Sequence, residues 1–206
     1  MGMCISKTKT EVQYLGKGKK EFQILVDGQH IQQSDNFIYF GGNVSTEGGT
    51  DGDITRRSGL ARSVLQSLCD IWTAKDLSKA TNICVYETLV LSVLLYNTET
   101  WCLTATQAKR LKVFEMACLR KIEGVTRIDR IRNEDIYRRV GIKQDILSRI
   151  QQCRLCYFGH ISRMQDNRYP KIALHGRIQG QWCRGRPKKR WIDTIRNDCE
   201  EMNMNI

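Results

Sequence analysis

Ile83-Cys84-Val85-Tyr86-Glu87-Thr88-Leu89-Val90-Leu91-Ser92-Val93-Leu94-Leu95-Tyr96 holds a single charged residue, Glu87, and is apolar nearly all round. A segment without a polar face belongs in the interior of a fold. The stretch is therefore predicted to be a buried central helix, while its valine and leucine content leaves a buried strand open. Its most apolar part, Leu89 to Tyr96, is less than half the ~20 residues that a bilayer span needs, so a membrane protein is not expected.

On either side of this stretch the spacing is helical. From Asp53, the residues Ile54, Ala61, Val64, Leu65, Leu68 and Trp72 share one face, with Arg56, Arg57 and Arg62 largely off it. Downstream, Thr106 is a candidate N-cap for a helix in which Leu111, Phe114, Cys118 and Ile122 form the apolar stripe, and Gly124 ends it. A short helix is predicted over Asn133–Val140, stopped by Gly141, and a longer one from Asp145 toward Met164. The pair loosely resembles a helix-turn-helix. Trp191 or Ile192, Ile195, Cys199 and Met202 mark a last amphipathic helix. The first fifty residues read as strands: Phe22 to Val26 runs into Asp27-Gly28, and Phe37 to Phe40 into Gly41-Gly42, both suited to tight hairpin turns. Asp51 and Asp53, at a glycine-rich helix start, read as capping residues rather than metal ligands. The fold class is mainly α with a small N-terminal β-hairpin.

Charge divides unevenly along the 206 residues. The net charge is +11, yet residues 120–190 carry 19 Lys/Arg against 6 Asp/Glu, while residues 191–206 carry 1 against 4. Such a concentration favours a polyanionic partner through counterion release and steering, although a solvated basic surface has the same composition. The densest run, residues 176–190, is a basic loop holding Gly176, Gly180, Gly185 and Pro187. In it Arg177, Arg184, Arg186, Lys188, Lys189 and Arg190 accompany Trp182 and the adjacent Trp191, pairing phosphate-binding groups with faces on which an unpaired base can stack. The same run has the composition of a nuclear import signal. Nine cysteines are an odd number, and Cys84, Cys118 and Cys199 fall at helical core spacing. Met1 to Lys20 has no apolar signal core, so reduced thiols and an intracellular, nuclear rather than cytoplasmic, location are expected.

In order along the chain, Ile5-Ser6-Lys7-Thr8-Lys9-Thr10-Glu11, Phe37-Ile38-Tyr39-Phe40-Gly41, Glu99-Thr100-Trp101, Gly159-His160, Gly185-Arg186-Pro187 and Arg190-Trp191 resemble the C-terminal part of non-LTR (LINE-type) retrotransposon endonuclease-reverse transcriptases. The likeness runs from the end of the palm through the thumb to the C-terminal region. It implies three parts: residues 1–50 as a palm remnant with a primer-grip-like hairpin, 51–125 as a thumb-like helical bundle, and 126–206 as a basic helical module. By the same resemblance Lys9 lies near an incoming nucleotide, and Phe37, Tyr39, Phe40 and Gly41 press a primer end toward catalytic metals; the bland alternative is that these aromatics fill the hairpin's own core.

Two-metal polymerisation needs clustered carboxylates, and in the family these come from strands upstream of the position matching Ile5. The chain begins after them, so an RNA or RNA–DNA hybrid binder without catalytic residues or a cofactor is expected. Cys153, Cys156 and His160, at i, i+3 and i+7, share one helical face and have zinc-ligand chemistry, with His175 or Cys183 as a fourth ligand. The same spacing is that of a core stripe, and the family's usual aliphatic or basic residues at the two cysteine positions favour the stripe. A helix-turn-helix DNA-binding module and a retroelement relic without function are the alternative readings.

Overall fold

A computed structural model describes residues 6, 9–15, 21–26, 28–46, 48–74, 76–176 and 189–204. The chain divides into two units, Met1–Arg56 and Arg57–Ile206. Among the described residues the first holds three two-stranded ladders. In one, β1 (Glu11–Val12) runs parallel to β4 (Gln32–Gln33), and in the second β2 (Leu25–Val26) runs antiparallel to β3 (Gln29–His30). The third is the hairpin of β5 (Asn36–Tyr39) and β6 (Gly42–Ser45), in register Tyr39↔Gly42 and Asn36↔Ser45. The Gln13 side-chain amide donates to Asp35 O and to Val44 O, fastening the segment after β1 to the base of this hairpin.

The second unit is helical. Helix α1 (Asp51–Ser67) starts in the first unit and ends in the second, and α2 (Cys69–Thr73) follows a break at Leu68. The expected face is buried at Ala61, Leu65 and Trp72, and the Trp72 indole donates to Leu65 O. Arg57 departs from the expectation: it is only 7% exposed. Its guanidinium lies 4.1 Å from the centre of the Tyr96 ring, a cation–π contact that offsets part of the cost of removing the charge from water.

The deciding stretch is helical, which excludes the strand alternative. Helix α3 (Lys79–Val85) passes into a π-helical segment, Tyr86–Leu91, and then α4 (Ser92–Leu95). Burial is one-sided: Asn82, Tyr86, Val90 and Leu94 point inward at intervals of four, while Leu89 is 46% exposed and Cys84 faces outward. In an α-helix a four-residue interval drifts off the face by ~40° per step; the wider π winding reduces that drift. Hydroxyls bond back onto the preceding turn, Thr88 Oγ1 donating to Cys84 O and Ser92 Oγ to Thr88 O, an arrangement that goes with a locally altered winding.

After a 3-10 turn at Thr98–Thr100, α5 (Ala105–Glu123) begins under a capping box: Gln107 N–H donates to Thr104 Oγ1, and Thr104 N–H to Gln107 Oε1. Thr104, not Thr106, is the cap, because the residue three past Thr106 is Lys109, which has no acceptor to return. Helix α5 ends at Gly124 and α6 (Asn133–Val140) at Gly141, whose φ angles of 70° and 80° suit glycine best. Asp145 caps α7 (Ile146–Ser162) through Ser148 N–H. Helix α8 (Tyr169–His175) was not expected; its sequence signal is Pro170 in the first turn. Helix α9 (Trp191–Glu201) closes the described chain.

Helix α7 is the hub, packing on α5, α8, α9 and the 3-10 turn, with Ile146 and Ile150 fully buried. Helix α5 carries a buried carboxylate, Glu115, whose Oε2 accepts the Tyr137 hydroxyl at 2.6 Å. Among the described residues no helix is long and apolar enough to cross a membrane, and seven cysteines are free thiols.

Candidate nucleic-acid interface

The hairpin tip is built by two residues with positive φ, Phe40 at 44° and Gly41 at 75°. That is the geometry of a type I′ turn, which matches the twist of paired strands and usually takes Asn-Gly. A phenylalanine in this conformation is strained, and its ring gains nothing from burial, being 80% exposed. Tyr39 is 61% exposed, so these two rings do not fill the hairpin's core. They meet edge to face at 4.6 Å, and Phe37 lies 6.5 Å from Tyr39.

Two residues of the first helical turns hold the tip. Asp53 Oδ1 accepts Asn43 N–H at 3.2 Å, and Arg56 Nη1 donates to Gly41 O at 2.9 Å. Asp53 is 3% exposed, and this bond anchors β6 to the start of α1. Phe40→Asn should relieve the strain and stabilise the hairpin by about 1 kcal/mol, read as a rise in melting temperature. If the exposed ring serves binding, affinity for single strands falls in the same variant; no stabilisation would remove the strain argument. Lys9 is exposed in a turn closed by its own N–H on Ser6 O.

In the helical unit, the expected segments of the C-terminal module meet around a buried ion pair. Arg154 on α7 and Asp198 on α9 are each 6% exposed; Nε donates to Oδ2 at 2.8 Å and Nη2 to Oδ1 at 2.9 Å. The third guanidinium nitrogen, Nη1, donates to Trp101 O at 3.2 Å. Burial pushes the Asp198 carboxyl up from the ordinary aspartate range, and Arg154 acts against that push. The Trp191 indole donates to Glu99 O at 2.8 Å. Glu99-Thr100-Trp101 is thus held at both ends, by α7 through Arg154 and by α9 through Trp191.

Lys189 and Arg190 are exposed at the start of α9. Asp193 receives Arg190 at 3.1 Å, and each lies displaced toward its charged form by the other. Behind them opens a cleft of about 830 Å³, walled by Tyr157, Ile161, Pro170, Leu174 and Trp191. Arg177, Trp182, Arg184, Arg186 and Lys188, together with Gly185-Arg186-Pro187 and Cys183, lie outside the described residues.

Cys153, Cys156 and His160 do lie on α7. Burial pushes the Cys153 thiol up, against the thiolate that zinc requires, while Cys156 and His160 are exposed. Among the described residues no group of three His, Cys, Asp or Glu side chains is placed to hold a metal ion. The residues that sequence reasoning missed are Arg154 and Asp198. Neither stands in a local pattern, since the pair joins positions 44 apart in the chain.

No protein-family model matches the chain, and no solved structure matches it. It is similar to an uncharacterized transposon-derived protein of Caenorhabditis elegans, 24% identical over 174 residues, which cover 82% of this chain and 61% of that protein. The chain therefore spans about three fifths of that relative's length. The likeness supports a transposon origin.

Proposed function

We propose that this is a retroelement-derived nucleic-acid binder, corresponding to the C-terminal part of a non-LTR reverse transcriptase and without polymerase activity of its own. RNA or an RNA–DNA hybrid is its partner, and a nuclear location fits that partner. Residues 1–50 are then the palm remnant, 51–125 the thumb-like bundle and 126–206 the basic module. The observation that carries the proposal is the excess of 19 cationic over 6 anionic residues in positions 120–190. All of that excess belongs to the helical unit, and its aromatic-walled cleft opens beside Lys189 and Arg190. The transposon-derived relative supports the origin. The helix-turn-helix alternative is the second reading, since α7, although packed by α5, α8 and α9, keeps Gln152, Cys156 and His160 exposed, a face open to a DNA groove.

A salt titration tests the proposal. If Arg177, Arg184, Arg186, Lys188, Lys189 and Arg190 each neutralise one phosphate, log affinity for single strands falls against log salt with a slope of about −4. Replacing Lys188, Lys189 and Arg190 by alanine should flatten the slope by about 2 and weaken all sequences alike. RNA or hybrid should be preferred without sequence selectivity, and primer incubated with magnesium should stay unextended. An unchanged slope in the triple variant would show that these cations only face solvent, and selection of one duplex site would favour the helix-turn-helix.

A further inference from the structure

Trp191 is fixed before any ligand arrives. Its Nε1–H is held by Glu99 O at 2.8 Å, Tyr157 meets it edge-on at 6.0 Å and 73°, and Phe158 lies 6.3 Å away. The indole nevertheless lines the cleft of about 830 Å³ rather than being buried, together with Tyr157, Ile161, Pro170 and Thr100. Thr100 Oγ1 already donates to Asn97 O, so toward a ligand it can only accept. Cavities of this size, mostly apolar with a few polar groups, suit small organic ligands. Arg190 also lines this one, and Lys189 adjoins it in the chain.

A locked aromatic wall beside exposed cations meets a flat ring and an anion at once. We infer that the cleft takes one unpaired nucleobase of a single-stranded nucleic acid, stacked on Trp191, with the adjoining phosphate at Lys189 and Arg190. An apolar side chain of a partner protein would use the walls and make no use of Lys189, or of Arg190 beyond its bond to Asp193; a paired duplex would use the cations and keep its bases out of reach. The inference rests on the nucleic-acid reading above and deepens it: backbone charge brings the strand, and the cleft distinguishes a strand with bases from one without. A pre-oriented platform loses little freedom on stacking.

The experiment compares fluorescein-labelled oligouridylate with an abasic ribose-phosphate strand of equal length, on the whole chain and on Ala173→Phe. Ala173 lines the cleft yet is exposed on α8, so the larger ring fills the space without disturbing the core. The base-bearing strand should bind the parent about tenfold more tightly than the abasic one. Ala173→Phe should remove that preference and leave abasic binding and salt slope unchanged. Equal binding of both strands by the parent, with the salt slope intact, would overturn the cleft assignment and leave the proposed function standing. A preference that survives Ala173→Phe also overturns it, because the base then stacks elsewhere. Binding of neither strand would sink the proposed function and the inference with it. The strand comparison needs no variant, so misfolding of Ala173→Phe cannot shield the inference.

Discussion

Replacing Arg154 by alanine is expected to cost about 3–5 kcal/mol of folding stability, because it strands a buried carboxylate without its partner. For a chain of this size that corresponds to a fall of roughly 6–20 °C in melting temperature. Three donors go at once, two to Asp198 and one to Trp101 O. The loss is not the net worth of the ion pair. A double replacement, Arg154→Met with Asp198→Leu, should recover a large part of the stability, since apolar side chains of similar volume often substitute for a buried pair at little cost. Thermal unfolding of both variants checks this. A single variant within about 1 kcal/mol of the parent would mean that water reaches the pair and screens it.

Glu115→Gln should make stability less dependent on pH. Burial raises the Glu115 carboxyl above its usual range, while the Tyr137 hydroxyl and the Ile146 N–H favour the ionised form and only partly offset it. Asp145 adds to the rise and Arg149 opposes it. Tyr86 and Cys118 share the site, and burial holds both in their neutral forms, the Cys118 thiol pushed up to about 12, so neither adds a second negative charge beside Glu115. A group whose folded pKa is raised contributes its stability below its unfolded pKa, about 4.3 for glutamate, and loses it as pH rises through the folded value. Parent and variant should therefore unfold at similar urea concentrations near pH 4, and the variant at higher urea near pH 8. A variant no more stable than the parent at pH 8 would show that Glu115 is comfortably ionised in the folded protein.

The parts legible in the sequence are those decided within a few residues. Gly124 and Gly141 end their helices, and Asp145 starts α7, because caps depend on neighbours one turn away. Thr104 was legible too, through Gln107 three positions on, although Thr106 competed for the role. The interior charges were not. Arg57, Glu115 and Arg154 sit where periodicity predicts either an exposed face or an apolar stripe, and their compensation comes from Tyr96, Tyr137 and Asp198, 39, 22 and 44 residues away. In the candidate site, Lys189, Arg190 and Trp191 were readable from composition. The cleft was not, since it needs Thr100, Tyr157 and α8 brought to the same place by packing.

The bond from Trp191 to Glu99 spans 92 residues of chain. Contacts of such long range form late, because the intervening chain must be closed into a loop before they repay its entropy. On the ribosome the helical unit therefore cannot finish folding as it emerges. Until α9 is made, Arg154 has no carboxylate to meet and the side of α7 that α9 will cover stays open to water and to chaperones. A nascent chain stopped ahead of α9 would be an unfinished protein, recognised by its exposed apolar surface, and not a shorter version of the folded one.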